Sequence, residues 1–558
     1  MTSAEESATS RKRAPWTQRV KAKLFEDDEE EMERLQPHIS QRLTRKSEIW
    51  GYLLFGFGYF GWANSTSSIF QPLLIQGLAL GASKLSSDHS IPCPKDSTEK
   101  CVVPFGWIWV DPTSYALLIN VVGVVCSIFV SLGTSAWADH GRHAKKLMLL
   151  FCFLLASLTC FMFVGALRAD LWWISGLLMV LGLVANACCM VYFEAHIPIL
   201  ARHHPKTVRA LVEYGETSRE YLLAKTEMAV FFSGHASQVG YLGGFVLTLI
   251  AAVILLTVSA SVLTLGYCMV LATGFVLVFA VAYWRLSYQR EFPPFPPGTI
   301  VPLFGYQRIV KTIRQARTLK TMFFYLACWF FLGDGLSAAT SMAILIAQSQ
   351  LNASNDSLII AALIQYVTAG AGITFWIYVQ NNRGVKPKTV VVANAFLFGL
   401  IPLYCLLGLI ESSPIGLKSV TELYVLALFF GFFIGAIYSS NRVVFSQLIP
   451  LGHENELYAL FEMASTTSSW MGPLICAAII ERASARHTWI FLATQFFIPG
   501  IMLCFLNMEK GIQEARDFYD REHQGENAAL EKNGDGGSME QVDSVKDFVM
   551  KAEGKEVV

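Results

Sequence analysis

Met322-Phe-Phe-Tyr-Leu-Ala-Cys-Trp-Phe-Phe-Leu-Gly-Asp334-Gly335-Leu-Ser-Ala-Ala-Thr-Ser-Met-Ala-Ile-Leu-Ile346 is long and apolar enough to cross a bilayer, and it holds one charge. A helix needs about 20 apolar residues to span roughly 30 Å of hydrocarbon. A charge at that depth costs roughly 2.5–3.5 kcal/mol on insertion scales, so an intramembrane carboxylate is expected to line a cavity, pair with a cation or carry protons. Asp334 is therefore the first candidate site residue.

Working outward from this stretch, read as 321–347, similar runs lie near 49–71, 114–137, 147–167, 171–193, 238–260 and 262–284 on one side, and near 357–380, 389–410, 421–441, 458–480 and 487–507 on the other. Twelve spans make the chain an all-α polytopic membrane protein whose first partner is the lipid bilayer. Its composition agrees: 53% of the 558 residues are hydrophobic and 15% charged, against about 25% charged in soluble domains. Formal net charge is zero, and the Lys and Arg that flank the spans serve to set topology, so no nucleic-acid surface is inferred.

The short loops are unequally charged. One set carries Arg142, Lys145 and Lys146, then Arg202 to Lys225, then Arg285 to Lys320, then Arg383 to Lys388; the opposite set is poor in basic residues. The positive-inside rule puts the richer set and both termini in the cytosol. The polar connection 285–320 divides the spans evenly, which resembles the layout of major facilitator transporters, two six-helix bundles that rock around a central site. The expected domains are a disordered cytosolic N-terminus (1–46), a first bundle (47–284), the cytosolic linker (285–320), a second bundle (321–507) and a disordered cytosolic tail (508–558).

Ten of the twelve cysteines fall within spans and read as small packing residues. Cys93 and Cys101 share a non-cytosolic loop, where an oxidising compartment favours a disulfide. Asn352 and Asn355 are formal glycosylation acceptors on that side. No metal-ligating or nucleophile motif, Walker loop or cofactor fingerprint is found, so an enzyme is not expected.

Polar residues inside or at the ends of spans supply the remaining candidates. Gly56-Phe-Gly-Tyr59-Phe-Gly-Trp-Ala-Asn64-Ser-Thr-Ser-Ser68 can bend and offer Tyr59 and Asn64 to a polar ligand, or serve only close helix packing. Trp137-Ala-Asp139-His-Gly-Arg142 resembles the facilitator motif between the second and third spans, with His140 where arginine is usual. Asp139 and Arg142 are thus gate candidates, as are Glu194, Arg442, Glu456 and Glu462 near span ends. His235, in a small-residue run of the fifth span, is a candidate proton sensor, and Gln365 a hydrogen-bond donor at mid-depth.

Asn64-Ser65, Ser233-Gly234, Gly240-Tyr-Leu-Gly-Gly244, Asp334-Gly335, Asn441-Arg442, Leu448-Ile-Pro450, Glu456 and Gly472-Pro-Leu474 occur in the order seen in the autophagy-related vacuolar effluxer family (autophagy-related protein 22), which the chain resembles from about 47 to 507. The resemblance implies release of neutral amino acids such as leucine, isoleucine and tyrosine from the vacuole to the cytosol, without a cofactor. Alternating access is expected, with protons as candidate coupling ion, Asp334 as coupling group, and Asn64, Tyr59 and Gln365 around the zwitterion. A facilitator of another metabolite or drug, a non-transporting receptor or transceptor, and a plasma-membrane location stay open.

Overall fold

The computed structural model describes residues 29–93, 101–216, 218–258, 262–295, 301–314, 318–351, 353, 355–410, 413–468, 471–483 and 485–533. Apolar runs become helices because no water in the hydrocarbon can satisfy an open backbone. In chain order, α1 is Glu29–Leu35, and α2 (Lys46–Trp62) continues through a π-helical segment, Ala63–Phe70, into α3 (Gln71–Gly81). A small antiparallel sheet follows, β1 (Lys84–Leu85), β2 (Cys101–Phe105) and β3 (Ile108–Val110), with β2 in the middle and Val103 opposite Val110. Next come α4 (Pro112–Ala138), α5 (Ala144–Phe161), α6 (Trp172–Arg202), α7 (Pro205–Tyr214), α8 (Arg219–Val258), α9 (Val262–Leu286) and the linker helix α10 (Val301–Arg314). The second half holds α11 (Lys320–Ser349), α12 (Asn355–Arg383), α13 (Pro387–Leu406), α14 (Val420–Ser446), α15 (Glu454–Ser468), α16 (Met471–Arg482), α17 (Thr488–Cys504) and α18 (Met508–Asn533).

Among the described residues, ten helices are long and apolar enough to cross a membrane. The expected first span runs without interruption from α2 through the π-helical segment into α3, and in the expected eleventh span α15 and α16 lie on either side of residues 469–470, which are outside the described residues. In the first, the Ser65 hydroxyl donates to the Gly61 carbonyl at 2.6 Å inside a hydroxyl-rich run that passes into the π-helical turn, and such turns recur at functional sites.

In the first half α2 packs on α8 and α9, and α4 and α5 pack on α6; in the second, α12 and α13 pack on α14, and α13 and α11 on α17. The halves meet where α8 lies against α12 and α14, and where α15 lies against α4 and α6. Close crossing needs glycine at several points; for example, a Cβ at Gly243 would overlap the Phe57 carbonyl, and one at Gly372 that of Phe432. Large apolar side chains such as Phe129, Leu150, Val278 and Ile498 point outward, as hydrocarbon allows.

The end of the bundle that carries the α4–α5 loop, α7, α10 and α18 is the linker face; the opposite end carries the β-sheet and is the disulfide face. There Cys93 and Cys101 are bonded, with their Cα atoms 5.8 Å apart. Asn352 lies outside the described residues. Two stretches expected to be disordered are helical in part. Glu31 of α1 accepts from Arg209 at 2.5 Å. α18 buries Gly511, Ala515 and Phe518, and its Glu514 accepts from the Thr321 amide at 2.8 Å, capping the start of α11.

Candidate functional site

A cavity of about 350 Å³ lies where the halves meet, lined by α2, the π-helical segment, α4, α6 and α8 of the first half and by α14 and α15 of the second. Its size is in the range of small-molecule sites. Phe60, Leu183, Met190 and Val124 supply apolar wall; Tyr59, Asn64, Asn186, Ser237, Tyr241 and Tyr438 supply polar groups. The Tyr59 hydroxyl donates to Asn186 Oδ1 at 2.7 Å, and the Tyr366 hydroxyl of α12 donates to the Asn64 carbonyl at 3.0 Å.

Arg442 is the cation of this cavity and is buried, as is Glu194. Its Nε pairs with Glu194 Oε1, its Nη1 donates to Ser237 Oγ at 2.9 Å, and its guanidinium lies 5.0 Å from the centroid of the Phe60 ring. Glu462, also lining the cavity, meets Glu194 side chain to side chain. One cation and two carboxyl groups therefore converge from three helices. A guanidinium with planar donors suits a ligand carboxylate, and the carboxyl pair suits a ligand ammonium.

A second polar cluster closes the linker face. Asp139, just beyond α4, accepts from the Asn455 amide nitrogen at 3.1 Å, from Asn455 Nδ2 at 2.6 Å and from the Glu456 amide at 3.3 Å. A carboxyl of the first half thus caps α15 of the second, satisfying N–H groups that the helix itself leaves open. Burial pushes the Asp139 carboxyl up to about 7, although Arg308 pulls the other way. Arg308 of the linker helix pairs with Glu456 at 2.8 Å and donates to the Gly452 carbonyl at 2.7 Å. It also contacts His140 at 3.4 Å, and burial followed by Arg308 lowers that imidazole to about 4. Arg202 of α6 pairs with Glu454 at 2.5 Å, and Ser233 Oγ of α8 donates to the Ser439 carbonyl at 2.6 Å.

Of the expected site residues, the structure brings Tyr59, Asn64, Glu194, Arg442 and Glu462 to the cavity, and Asp139 and Glu456 to the linker-face cluster. The others lie elsewhere. Asp334 is fully buried within the second half, where it accepts from the Gly472 amide at 2.7 Å and from Gln495 Nε2 at 2.8 Å. Gln365 is not a lining residue, and its carbonyl accepts from Thr368. His235 is held by the Phe231 carbonyl at 2.9 Å and is likewise absent from the lining. Arg142 is 65% exposed and pairs with Glu291 of the linker. Arg308, Asn455 and Ser237 were not singled out beforehand. For Arg308 the available signal was a basic residue on the polar side of an amphipathic stretch, 301–314.

A family model described as "Vacuole effluxer Atg22 like" matches residues 44–516. The chain is similar to autophagy-related protein 22-2 of Sclerotinia sclerotiorum (25% identical, covering 85% of this chain and 82% of that protein) and to autophagy-related protein 22-1 of Penicillium rubens (25%, covering 86% and 93%). Among solved structures it resembles the proton:xylose symporter XylE (TM-score 0.57, 12% identical, covering 85% of this chain and 98% of that one). It also resembles the transporter FucP in its outward conformation (TM-score 0.54, 13% identical, covering 83% and 99%). At such identities the likeness is one of fold, and the fold is that of the major facilitator transporters.

Proposed function

The chain belongs to the vacuole effluxer Atg22-like family, and from that premise we propose that it is a secondary transporter releasing neutral amino acids, leucine, isoleucine and tyrosine among them, from the vacuole to the cytosol. Family and fold are those of transporters rather than enzymes. The observation that carries the reading is the cavity between the halves, in which one buried guanidinium faces two carboxyl groups. A zwitterion fits that charge pattern: its carboxylate replaces Glu194 on Arg442, its ammonium meets the carboxyl pair, and its side chain lies along Phe60, Leu183 and Met190. Tyr59, Asn64 and Asn186 add hydrogen-bonding groups around it.

In this reading the linker face and both termini are cytosolic and the disulfide face is lumenal, which the basic loops support. The ion pairs and caps that join the two halves at the linker face then hold the cytosolic side shut, and alternating access requires them to break. Asp139, Arg308, Glu456, Arg202 and Glu454 are the gate in this account.

The test is counterflow of labelled leucine in proteoliposomes preloaded with unlabelled amino acid, with tyrosine and lysine as competitors. Leucine exchange competed by tyrosine and spared by lysine supports the reading. Folded protein that exchanges none of them, but exchanges another metabolite, reassigns the substrate; folded protein that exchanges nothing favours a receptor.

A further inference from the structure

We propose that Glu194 and Glu462 together form a proton-binding site that exists only while the linker face is closed, so that protonation is linked to the rocking of the halves. This rests on the transport reading above and supplies its coupling group.

A carboxylate has acceptors and no donor, so two carboxyl groups hydrogen-bond each other only if one keeps its proton. Glu194 and Glu462 meet side chain to side chain at the cavity that Arg442 and Glu462 line, while Glu194 also holds Arg442, so two carboxyl groups share one guanidinium. The site then contains one guanidinium, one carboxylate and one carboxylic acid, a neutral set. Neutrality is what burial demands, since an uncompensated charge in a low-dielectric site is expensive.

The three groups are divided between the moving parts. Glu194 is on α6 of the first half; Arg442 and Glu462 are on α14 and α15 of the second. Opening the linker face draws α15 from α6, which breaks the Glu194–Glu462 and Glu194–Arg442 contacts together. Arg442 keeps Glu462 as its neighbour, so Glu462 becomes the carboxylate that balances it. The O–H bond of the shared proton breaks, the proton passes to water on the linker side, and Glu194 ionises in that water. Closing again leaves the site one negative charge in excess until a proton is taken up, and the cavity offers a route for it. Loading at one face and release at the other is proton coupling.

Asp334 lacks this property. Its partners Gly472 and Gln495 lie in its own half, so rocking leaves its hydrogen bonds intact.

Other titratable groups face the pair from every packed element. Tyr52 and Tyr59 approach from α2, Tyr438 from α14 and Tyr458 from α15; phenols ordinarily titrate near ~10 and stay neutral here. On α6, His196 is bonded to the Tyr192 carbonyl at 2.6 Å and Tyr283 at 3.3 Å, and Cys188 and Cys189 are buried thiols. On α8, Ser237 does not titrate and His235 is bonded to Phe231. Asp139, Glu454, Glu456, His140 and His453 belong to the linker-face cluster, and of these Asp139 is the competing proton site.

The experiment places spin labels on the full chain at Glu213→Cys and Lys386→Cys, exposed positions in opposite halves, with the exposed Cys504 replaced by serine. The closed-to-open ratio is then read from the label distance as a function of pH. In the wild type, acid raises the ratio by up to about tenfold per pH unit through the titration, the slope for one linked proton. Glu462→Gln donates to Glu194 permanently, so its ratio is high and flat, while Asp139→Asn keeps a slope. A Glu462→Gln protein that titrates like the wild type overturns the proposal. Should that variant give no defined distance, infrared spectra of the wild type decide. A protonated-carboxyl band that shifts in Glu194→Gln is expected, and a band insensitive to that substitution overturns the assignment. No substrate enters either measurement, so a protein that titrates this way but exchanges no amino acid would sink the substrate reading alone.

Discussion

The two faces of the bundle are fastened by different physics. At the linker face, charged and polar side chains of the first half and of the linker helix meet those of the second half directly: Asp139 on the start of α15, Arg308 on Glu456, Arg202 on Glu454. At the disulfide face, the distal half of the eleventh span, α16, packs on α11 and α17 of its own half. The β-sheet and its Cys93–Cys101 bond tie one loop to itself and present Trp107 almost fully exposed. One face is thus held by contacts that a rocking motion must break, the other by contacts that move with one half. Reversible gating needs the first kind; a local staple is enough for the second.

Breaking the deepest cross-half pair should have the largest effect. Arg442→Gln leaves Glu194 buried without its cation, which typically costs about 3–5 kcal/mol. Thermal unfolding in detergent should drop accordingly, and a melting temperature equal to the wild type would mean that the pair does not hold the halves. Next in size is Arg308→Ala. Arg308 keeps 13% exposure while Glu456 keeps none, so the expected loss is about 2–3 kcal/mol of closure. It should appear as faster labelling of a cysteine placed at Ser237. Unchanged labelling would move the gate away from the linker helix.

The third effect depends on pH. Burial raises the Asp139 carboxyl from 3.8 to about 7 in the folded protein, so the folded state binds a proton that the unfolded chain releases. The stabilisation is present below about 4 and is lost as pH rises to about 7. Asp139→Asn should flatten that part of the melting profile, and a profile falling just as steeply would assign it elsewhere.

The disulfide face should respond less, and only locally. Replacing Cys93 and Cys101 by serine releases a constraint worth about 2–3 kcal/mol for so short a loop. Faster amide exchange in β2 and β3 is expected, with the bundle's melting temperature unchanged; a lower one would show that the staple supports the bundle. Smallest of all is Arg142→Ala, since both partners of that pair are half-exposed or more and surface pairs contribute about 0–1 kcal/mol. A change above that range would reveal a gate role for Arg142.

Much of the architecture was legible because hydrocarbon tolerates little but apolar helices, and runs such as 262–284 leave no alternative. What escaped had weaker one-dimensional signals. α18 has few apolar positions, but Gly511, Ala515 and Phe518 fall on one side and are buried. Asp334 lies away from the cavity for a physical reason. The cost of a membrane carboxylate is real, but the Gly472 amide and the Gln495 side chain meet it, and they are 138 and 161 residues away in the sequence. Glu194, Arg442 and Glu462 were all legible as charges near span ends. Their convergence was not, because Glu194 and Arg442 are 248 residues apart and no periodicity pairs α6 with α14 and α15.

The central claim is that the cavity around Arg442 carries neutral amino acids between the two faces. Its most direct test is counterflow of labelled leucine by the wild type and by Arg442→Lys, which keeps the charge but not the planar donors that grip Glu194 or a ligand carboxylate. The account predicts exchange by the wild type and at least tenfold slower exchange by folded Arg442→Lys. Leucine exchange at the same rate in both would contradict it.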